Sequence, residues 1–275
     1  MEVLIMGDNV LDHGEESPVR VEIWQSCTQV GNRAADLIQE VLLERPNPVF
    51  ALPTGATPLA MYDELVRRRK AGILQFDSAR FFNLDEFVGV QPGDEGSFYR
   101  YMKERFWGPA GLNKGQYDIP RGWAEDLEKE CRRYEEAIAE AGGIDLALVG
   151  IGNNGHVAFN EPGSDPSLGT HVVDLSEATR RAQAVWFGGS VERVPRLGLT
   201  VGLRTILQAR EIVLLACGPH KAKVVRAFLL DPPTPEVPAS LLRVHGNLTV
   251  LLDNEAAALL SDGTPGLHLS RQLAP

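Results

Sequence analysis

The sequence predicts a doubly wound α/β domain, with three layers built around a mostly parallel sheet. Two observations predict it. Short, continuous apolar runs read as strands buried on both faces, and they alternate with segments of helical length. These runs also end in turns rich in glycine, proline or threonine, followed at once by polar residues able to do chemistry. In open parallel sheets ligands bind beyond the carboxyl ends of the strands, so such turns are where a site is expected. No repeat, linker or composition shift marks a boundary. The reading is therefore one Rossmann-like domain over 21–275 behind an N-terminal extension of residues 1–20.

Asn47 to Leu52 reads as a strand, followed by a helix from Pro58 to Lys70. Arg80 to Leu84 is a second strand, with a helix near Ser97 to Phe106. The amphipathic pattern from Asp126 to Ala141 is helical and leads into the apolar run Leu146 to Ile151. Pro162 to Gly189 has no clear periodicity and carries four glycines, Gly163, Gly169, Gly188 and Gly189. A long excursion in a compact domain is usually functional, which predicts a lid over about 162–189; the plainer reading is a surface loop with a hairpin. Val194 to Gln208 is expected to be helical, Ile212 to Ala216 a strand, Lys221 to Leu230 a helix, and Leu248 to Leu252 the last strand.

Composition narrows the function classes. A chain of 275 residues with 44% hydrophobic and 23% charged residues can bury a core without staples. A net charge of −10 argues against a nucleic-acid footprint, but local donors can still hold an anionic small molecule. The opening MEVLIMGDNVLDHGEES lacks a basic leader, and no apolar run is long enough to span a bilayer. The expectation is a cytoplasmic protein. Cys27, Cys131 and Cys217 are an odd number without metal-ligand spacing, which argues against a disulfide framework, and Cys217 is expected in the core.

Four strand ends carry the candidate chemistry. Leu52-Pro53-Thr54-Gly55-Ala56-Thr57-Pro58 joins a strand to a helix, with Thr57 suited to the N-cap and Pro58 to the first turn. Exposed N–H groups and two threonine hydroxyls there suit a phosphate or carboxylate; capping alone is the plainer account. No lysine follows as in a Walker loop. Phe82-Asn83-Leu84-Asp85-Glu86-Phe87 puts two acids after a second strand. Neighbours on extended backbone face opposite sides, so at most one enters a site. The plainer account is two solvated or helix-capping acids. Although spacing alone does not decide between the two, Asp85 is chosen as a general base. Gly152-Asn153-Asn154-Gly155 breaks the third strand and delivers His156 and Glu161 together. One histidine after a strand is commonly a bonded turn residue, yet the pair at this end of a buried strand favours catalysis. Gly218-Pro219-His220-Lys221 starts a helix, and Lys221, mildly unfavourable against the helix dipole, could meet an anion. The run Arg67-Arg68-Arg69-Lys70 at a helix C-terminus reads as a solvated end.

Together LPTGATP, FNLDEFVGV, GIGNNGHVAFNEPGS and the Lys221 segment resemble, in order and spacing, the glucosamine-6-phosphate deaminase family, over roughly Val21 to Asp253. The related 6-phosphogluconolactonases share a glycine-rich turn before a histidine but continue differently after it. They also carry Asp-Glu-Arg where this chain has Asp85-Glu86-Phe87. The resemblance implies conversion of glucosamine 6-phosphate and water to fructose 6-phosphate and ammonia, without metal or organic cofactor. It implies that His156, positioned by Glu161, opens the ring and that Asp85 moves the C2 proton to C1. It also implies that Thr54, Gly55, Ala56, Thr57 and Lys221 hold the 6-phosphate. The implied partner is a small amino sugar phosphate, with no nucleic acid or membrane. Family members occur as monomers and as higher oligomers, so a homo-oligomer stays open.

Three positions depart from the family pattern. Asn154 stands where many members have an acid that orients the histidine, and an amide stabilises imidazolium less strongly. Val185, in Ala184-Val185-Trp186-Phe187, stands where the family places a phosphate-gripping arginine in the lid. Its loss could cost roughly 1.5–3 kcal/mol unless Arg180 or Arg181 compensates. Thr170-His171-Val172-Val173-Asp174 offers only a histidine where allosteric members carry basic residues, so no activation by an acetylated sugar phosphate is expected. Two alternatives are the same chemistry on another amino sugar, phosphorylated or not, and a non-catalytic sugar-phosphate sensor.

Overall fold

The structure, a computed structural model, describes residues 19–261 and 267–272. The chain begins with β1 (Val19–Trp24), α1 (Cys27–Glu44), β2 (Val49–Leu52), α2 (Leu59–Lys70) and β3 (Arg80–Asn83). It continues with β4 (Asp85–Phe87), α3 (Phe98–Met102), β5 (Tyr117–Asp118), α4 (Leu127–Glu140) and β6 (Leu146–Gly150). Then come β7 (His171–Asp174), α5 (Glu177–Gln183), β8 (Leu197–Thr200), α6 (Leu203–Leu207) and β9 (Glu211–Ala216). It closes with α7 (Ala222–Leu230), β10 (Leu248–Asp253) and β11 (Leu267–Arg271).

Eight strands form one sheet in the order β11-β1-β10-β9-β6-β2-β3-β5, and every neighbouring pair is parallel. Strand residues alternate between two cores. Phe50 and Leu52 pack with α1 and α2 residues such as Val30, Ile38, Met61 and Leu65. Val49 and Ala51 pack on the other face, with Tyr134, Leu203, Val225 and Phe228 of α4, α6 and α7. Both faces are covered, which is why the strands read as unbroken apolar runs rather than alternating ones. The sequence-predicted three-layer, doubly wound α/β architecture is the one observed.

Several expectations need correction. Val194–Gln208 is not one helix: it holds a 3₁₀ end, β8, a Val201-Gly202 break and the short α6. Leu197, Leu199, Val201 and Leu203 alternate with period two, the overlooked signal. β8 belongs to a second, antiparallel sheet, β4-β8-β7, that the sequence reading did not anticipate. The segment 162–189 is less irregular than expected, since it contains β7, α5 and a 3₁₀ turn over Ala184–Phe187. β10 is not the last strand, because β11 adds an edge beyond β1. Val19 and Arg20 belong to β1 rather than to an extension; the rest of that predicted extension lies outside the described residues. The helix expected to the far side of Ser97 is α3 capped by the Ser97 side chain, continued by a π turn over Lys103–Trp107.

Cys27 and Cys217 are disulfide-bonded, their Cα atoms 5.5 Å apart. This overturns the inference drawn from an odd cysteine count. Cys27 opens α1 and Cys217 follows β9, so the sheet brings both to its carboxyl edge across 190 residues. Cys217 is buried, as expected, and Cys131 is a buried free thiol. No described helix is long and apolar enough to cross a membrane.

Candidate active site

After β2 the winding continues outward through β3, while after β6 it proceeds the other way through β9. The adjacent strands β2 and β6 therefore flank the point where the order reverses, and a crevice opens beyond their carboxyl ends. A cavity of about 420 Å³ lies there, lined by the Pro53–Pro58 turn, Asp85, the Gly150–Asn153 segment, His156 and Lys221. Four separate strand ends thus converge on one concavity.

The 53–58 turn is held from behind by two phenols. Tyr62 donates to the Pro53 carbonyl at 2.5 Å and Tyr101 to the Gly55 carbonyl at 2.6 Å. Gly55 has φ +104°, a left-handed value that a Cβ would strain. Pro58, not Thr57, occupies the N-cap of α2, and no side chain closes that end by a hydrogen bond. The expected threonine cap is absent because the proline's own turn starts the helix. Thr54 and Thr57 face the cavity instead.

The adjacent acids separate as extended backbone requires. Glu86 turns away from the cavity and accepts hydrogen bonds from Phe87, Phe98 and Tyr99 N–H groups and from the Ser97 hydroxyl. Burial pushes its carboxyl up to about 7 against the pull of those donors. Asp85 lines the cavity, is 6% exposed, and its Oδ1 is buried with no partner. Burial, with the nearby Glu86, holds its carboxyl well above the ordinary aspartate range.

His156 lies against Gly152, where an added Cβ would come within 2.3–2.4 Å of three ring atoms. Gly152→Ala must therefore displace the imidazole. Because a 1 Å misplacement of a catalytic group can cost about 10²-fold, a loss of that order in kcat with an intact fold is expected from steady-state kinetics and circular dichroism. Burial is the main cause lowering the imidazole to about 4; Glu161 opposes the shift and Lys221 reinforces it. His156 is thus a neutral base at pH 7.

Glu161 and Asn154 do not line the cavity; they stand behind the imidazole. Glu161 Oε2 lies 3.8 Å from His156 Nδ1, beyond hydrogen-bonding distance, while Asn154 Nδ2 and the Ser176 N–H donate to Glu161 at 2.7 and 3.0 Å. Asn154 does not touch the ring. Its Oδ1 accepts the His156 backbone N–H at 3.3 Å, so its part is to shape the loop and fix Glu161. Asn160 and Phe159 tie the same loop to Thr200 and Val201.

Lys221 sits one residue before α7 and donates to the Ile151 carbonyl at 2.7 Å and to Asn153 Oδ1 at 2.8 Å. Burial lowers its ammonium to about 8. Opposite, Ala182, Gln183, Val185 and Trp186 from the 162–189 segment form a wall. Gln183 carries a buried Oε1 without a partner. Arg180 does not replace the missing lid arginine, for its guanidinium is taken by the Val191 and Val194 carbonyls. Arg181 is exposed and pairs with Glu177 on the helix surface. Arg100 and Arg105 share an adjoining 190 Å³ cavity with Val185 and Trp186, and Arg100 is bound to Glu104.

Sequence reasoning placed Asp85, His156, Thr54, Gly55, Ala56, Thr57 and Lys221 on one cavity wall, and they do meet. It missed Gln183, Trp186 and His220 on that wall, and Ser176 and Thr179 behind His156. Only the Ser-x-x-Thr capping pattern of α5 could have flagged the last two. Among the described residues no group of three or more histidine, cysteine, aspartate or glutamate side chains is arranged to hold a metal.

Comparison with known proteins shows the family. Residues 24–250 match the family described as glucosamine-6-phosphate isomerases/6-phosphogluconolactonase. The chain is 42% identical to a glucosamine-6-phosphate deaminase of Thermoanaerobacter sp. (strain X514), over 89% of this chain and 96% of that one. It is 44% identical to that of Rhodopirellula baltica, over 88% and 96%. A solved monomeric glucosamine-6-phosphate deaminase, 40% identical, superposes with a TM-score of 0.84 over 88% of this chain and 99% of its own. A 6-phosphogluconolactonase from Trypanosoma cruzi, 21% identical with a TM-score of 0.73, shares the fold. The chain belongs to the glucosamine-6-phosphate isomerase/6-phosphogluconolactonase family.

Proposed function

We propose that the protein is a glucosamine-6-phosphate deaminase, releasing ammonia and forming fructose 6-phosphate. One observation carries the reading: Asp85 presents a buried carboxylate oxygen without a partner to the same cavity as the neutral His156 and Lys221. A desolvated carboxylate is a stronger base, as abstraction of a proton from carbon requires. His156 takes the anomeric hydroxyl proton and returns it to the ring oxygen, opening the pyranose. Asp85 then removes the C2 proton while the C1 carbonyl oxygen gains one, and delivers the proton to C1, leaving an iminium at C2. Water adds to that carbon, and ammonia departs as the C2 carbonyl forms. The 6-phosphate rests on the Thr54–Thr57 turn and Lys221, supplying remote binding energy that orients the reacting end. The 162–189 segment acts as the lid of a single domain, and its charged metabolite substrate supports a cytoplasmic setting.

The test is ammonia release from glucosamine 6-phosphate by purified protein, with fructose 6-phosphate as co-product. Lys221→Met should raise KM about 10- to 100-fold, the equivalent of one charge-assisted contact, with a smaller change in kcat. The wild-type KM should rise as pH passes about 8, where the ammonium loses its proton, and that rise should vanish in Lys221→Met. A flat wild-type KM between pH 7 and 9 would contradict the phosphate role.

A second reading is favoured by Val185, which lines the cavity at 72% exposure while Arg180 and Arg181 are engaged elsewhere. It keeps the chemistry and changes the sugar. A panel including galactosamine 6-phosphate and unphosphorylated glucosamine separates the two readings by kcat/KM.

A further inference from the structure

Behind His156 three polar groups stand in line with its ring. Ser176 Oγ lies 3.1 Å from Glu161 Oε2, Thr179 Oγ1 lies 3.1 Å from Ser176 Oγ, and His156 Nδ1 lies 3.1 Å from Thr179 Oγ1. The direct His156–Glu161 separation is 3.8 Å, so the hydroxyls make the hydrogen-bonded connection. Counting protons gives the line a direction. As a carboxylate, Glu161 only accepts, so the single proton of Ser176 points toward it. At the next contact Ser176 is then the acceptor, and Thr179 gives its proton. Thr179 has none left for the imidazole and must accept from Nδ1–H. The ring is thereby held as the Nδ1–H tautomer, leaving Nε2 as the bare nitrogen.

Both hydroxyls come from the lid side. Ser176 is the N-cap of α5, where it also accepts the Thr179 N–H, and Thr179 is 2% exposed. The same helix runs directly into the Ala182–Trp186 wall of the cavity. We propose that Ser176 and Thr179 are positioning residues that couple Glu161 to His156 and fix its Nδ1–H tautomer, so that the histidine is a competent base only while α5 is docked. The proposal rests on the deaminase reading for its kinetic consequence, but its tautomer statement does not.

Two measurements test it. Two-bond ¹H–¹⁵N correlation spectra of histidine-labelled protein report the tautomer of each of the six histidines, and His156 is assigned by its loss in His156→Gln. The wild type is expected to show Nδ1–H, Thr179→Ser to keep it, and Thr179→Val to show Nε2–H or a mixture. An Nε2–H wild type, or a Thr179→Val spectrum unchanged from wild type, overturns the proposal whether or not the protein deaminates anything. The wild-type spectrum decides this even if Thr179→Val fails to fold.

Kinetically, Thr179→Val should lower kcat about 10- to 100-fold, within the share a general base supplies, with KM within about threefold and rescue by Thr179→Ser. Equal losses in Thr179→Ser and Thr179→Val would mean packing rather than hydrogen bonding, and would overturn it. No ammonia from the wild type, with the expected tautomer present, would instead fault the deaminase reading.

Discussion

Asp85→Asn is expected to lower kcat/KM by about 10²–10⁴-fold, the range that a positioned general base contributes, while leaving the fold intact. The substitution is nearly isosteric and removes only the basic oxygen. Because Oδ1 has no partner in the protein, no network collapses when it is replaced. Stability should hold or increase. The folded-state pKa of Asp85 lies above its unfolded value, so the folded protein binds the proton more tightly and this group costs stability as pH rises. The gain in melting temperature for Asp85→Asn should therefore grow from acidic to neutral pH. In the wild type, kcat/KM should rise with pH through a value above the ordinary aspartate range, and the variant's residual activity should lose that dependence. Ammonia release beside thermal melts at several pH values checks all of this. Retention of most activity would remove Asp85 from the mechanism.

His156→Gln is expected to lose about 10²–10⁴-fold as well, with a different signature. Without its ring-opening base the enzyme can use only the open-chain sugar that forms spontaneously. At high concentrations of the variant the rate should stop rising with enzyme, because uncatalysed ring opening sets the ceiling. A C2-deuterium isotope effect should be suppressed there, whereas the C2–H step remains exposed in Asp85 variants. A rate that climbs linearly with enzyme and keeps the full isotope effect would place His156 in the proton shuttle instead of ring opening. The two variants together thus separate the two steps of the proposed reaction.

Much of this site was legible because its parts are local. LPTGATP, the Asp85 segment and the His156 loop each follow a run whose composition already says buried parallel strand. A strand end next to a glycine turn fixes where a residue sits relative to the sheet without knowing its neighbours. Spacing alone does not choose between Asp85 and Glu86. Alternation implies that one faces the crevice, but only packing shows which: α3 offers two N–H groups and the Ser97 hydroxyl, and Glu86 takes them.

What stayed hidden is non-local or weakly patterned. Glu177–Gln183 has no apolar stripe, so α5 could not be read as a helix, and with it went Ser176 and Thr179. β8 carries a period-two alternation in the sequence, but it is short, its flanking apolar residues imitate a helix, and its partners β4 and β7 lie elsewhere in the chain. The role of Asn154 was misplaced because spacing cannot show that its amide reaches Glu161 rather than the ring.

The sequence by itself determined the layer architecture and the strand ends that bring Asp85, His156 and Lys221 to one cavity, since burial periodicity and turn chemistry are properties of short segments. Tertiary structure alone decided the disulfide across 190 residues, the burial of Asp85 Oδ1 without a partner, and the hydroxyl line from Glu161 to His156. Those depend on which distant surfaces the sheet brings within 3 or 4 Å, and hydrogen-bond direction and desolvation exist only once that approach is made.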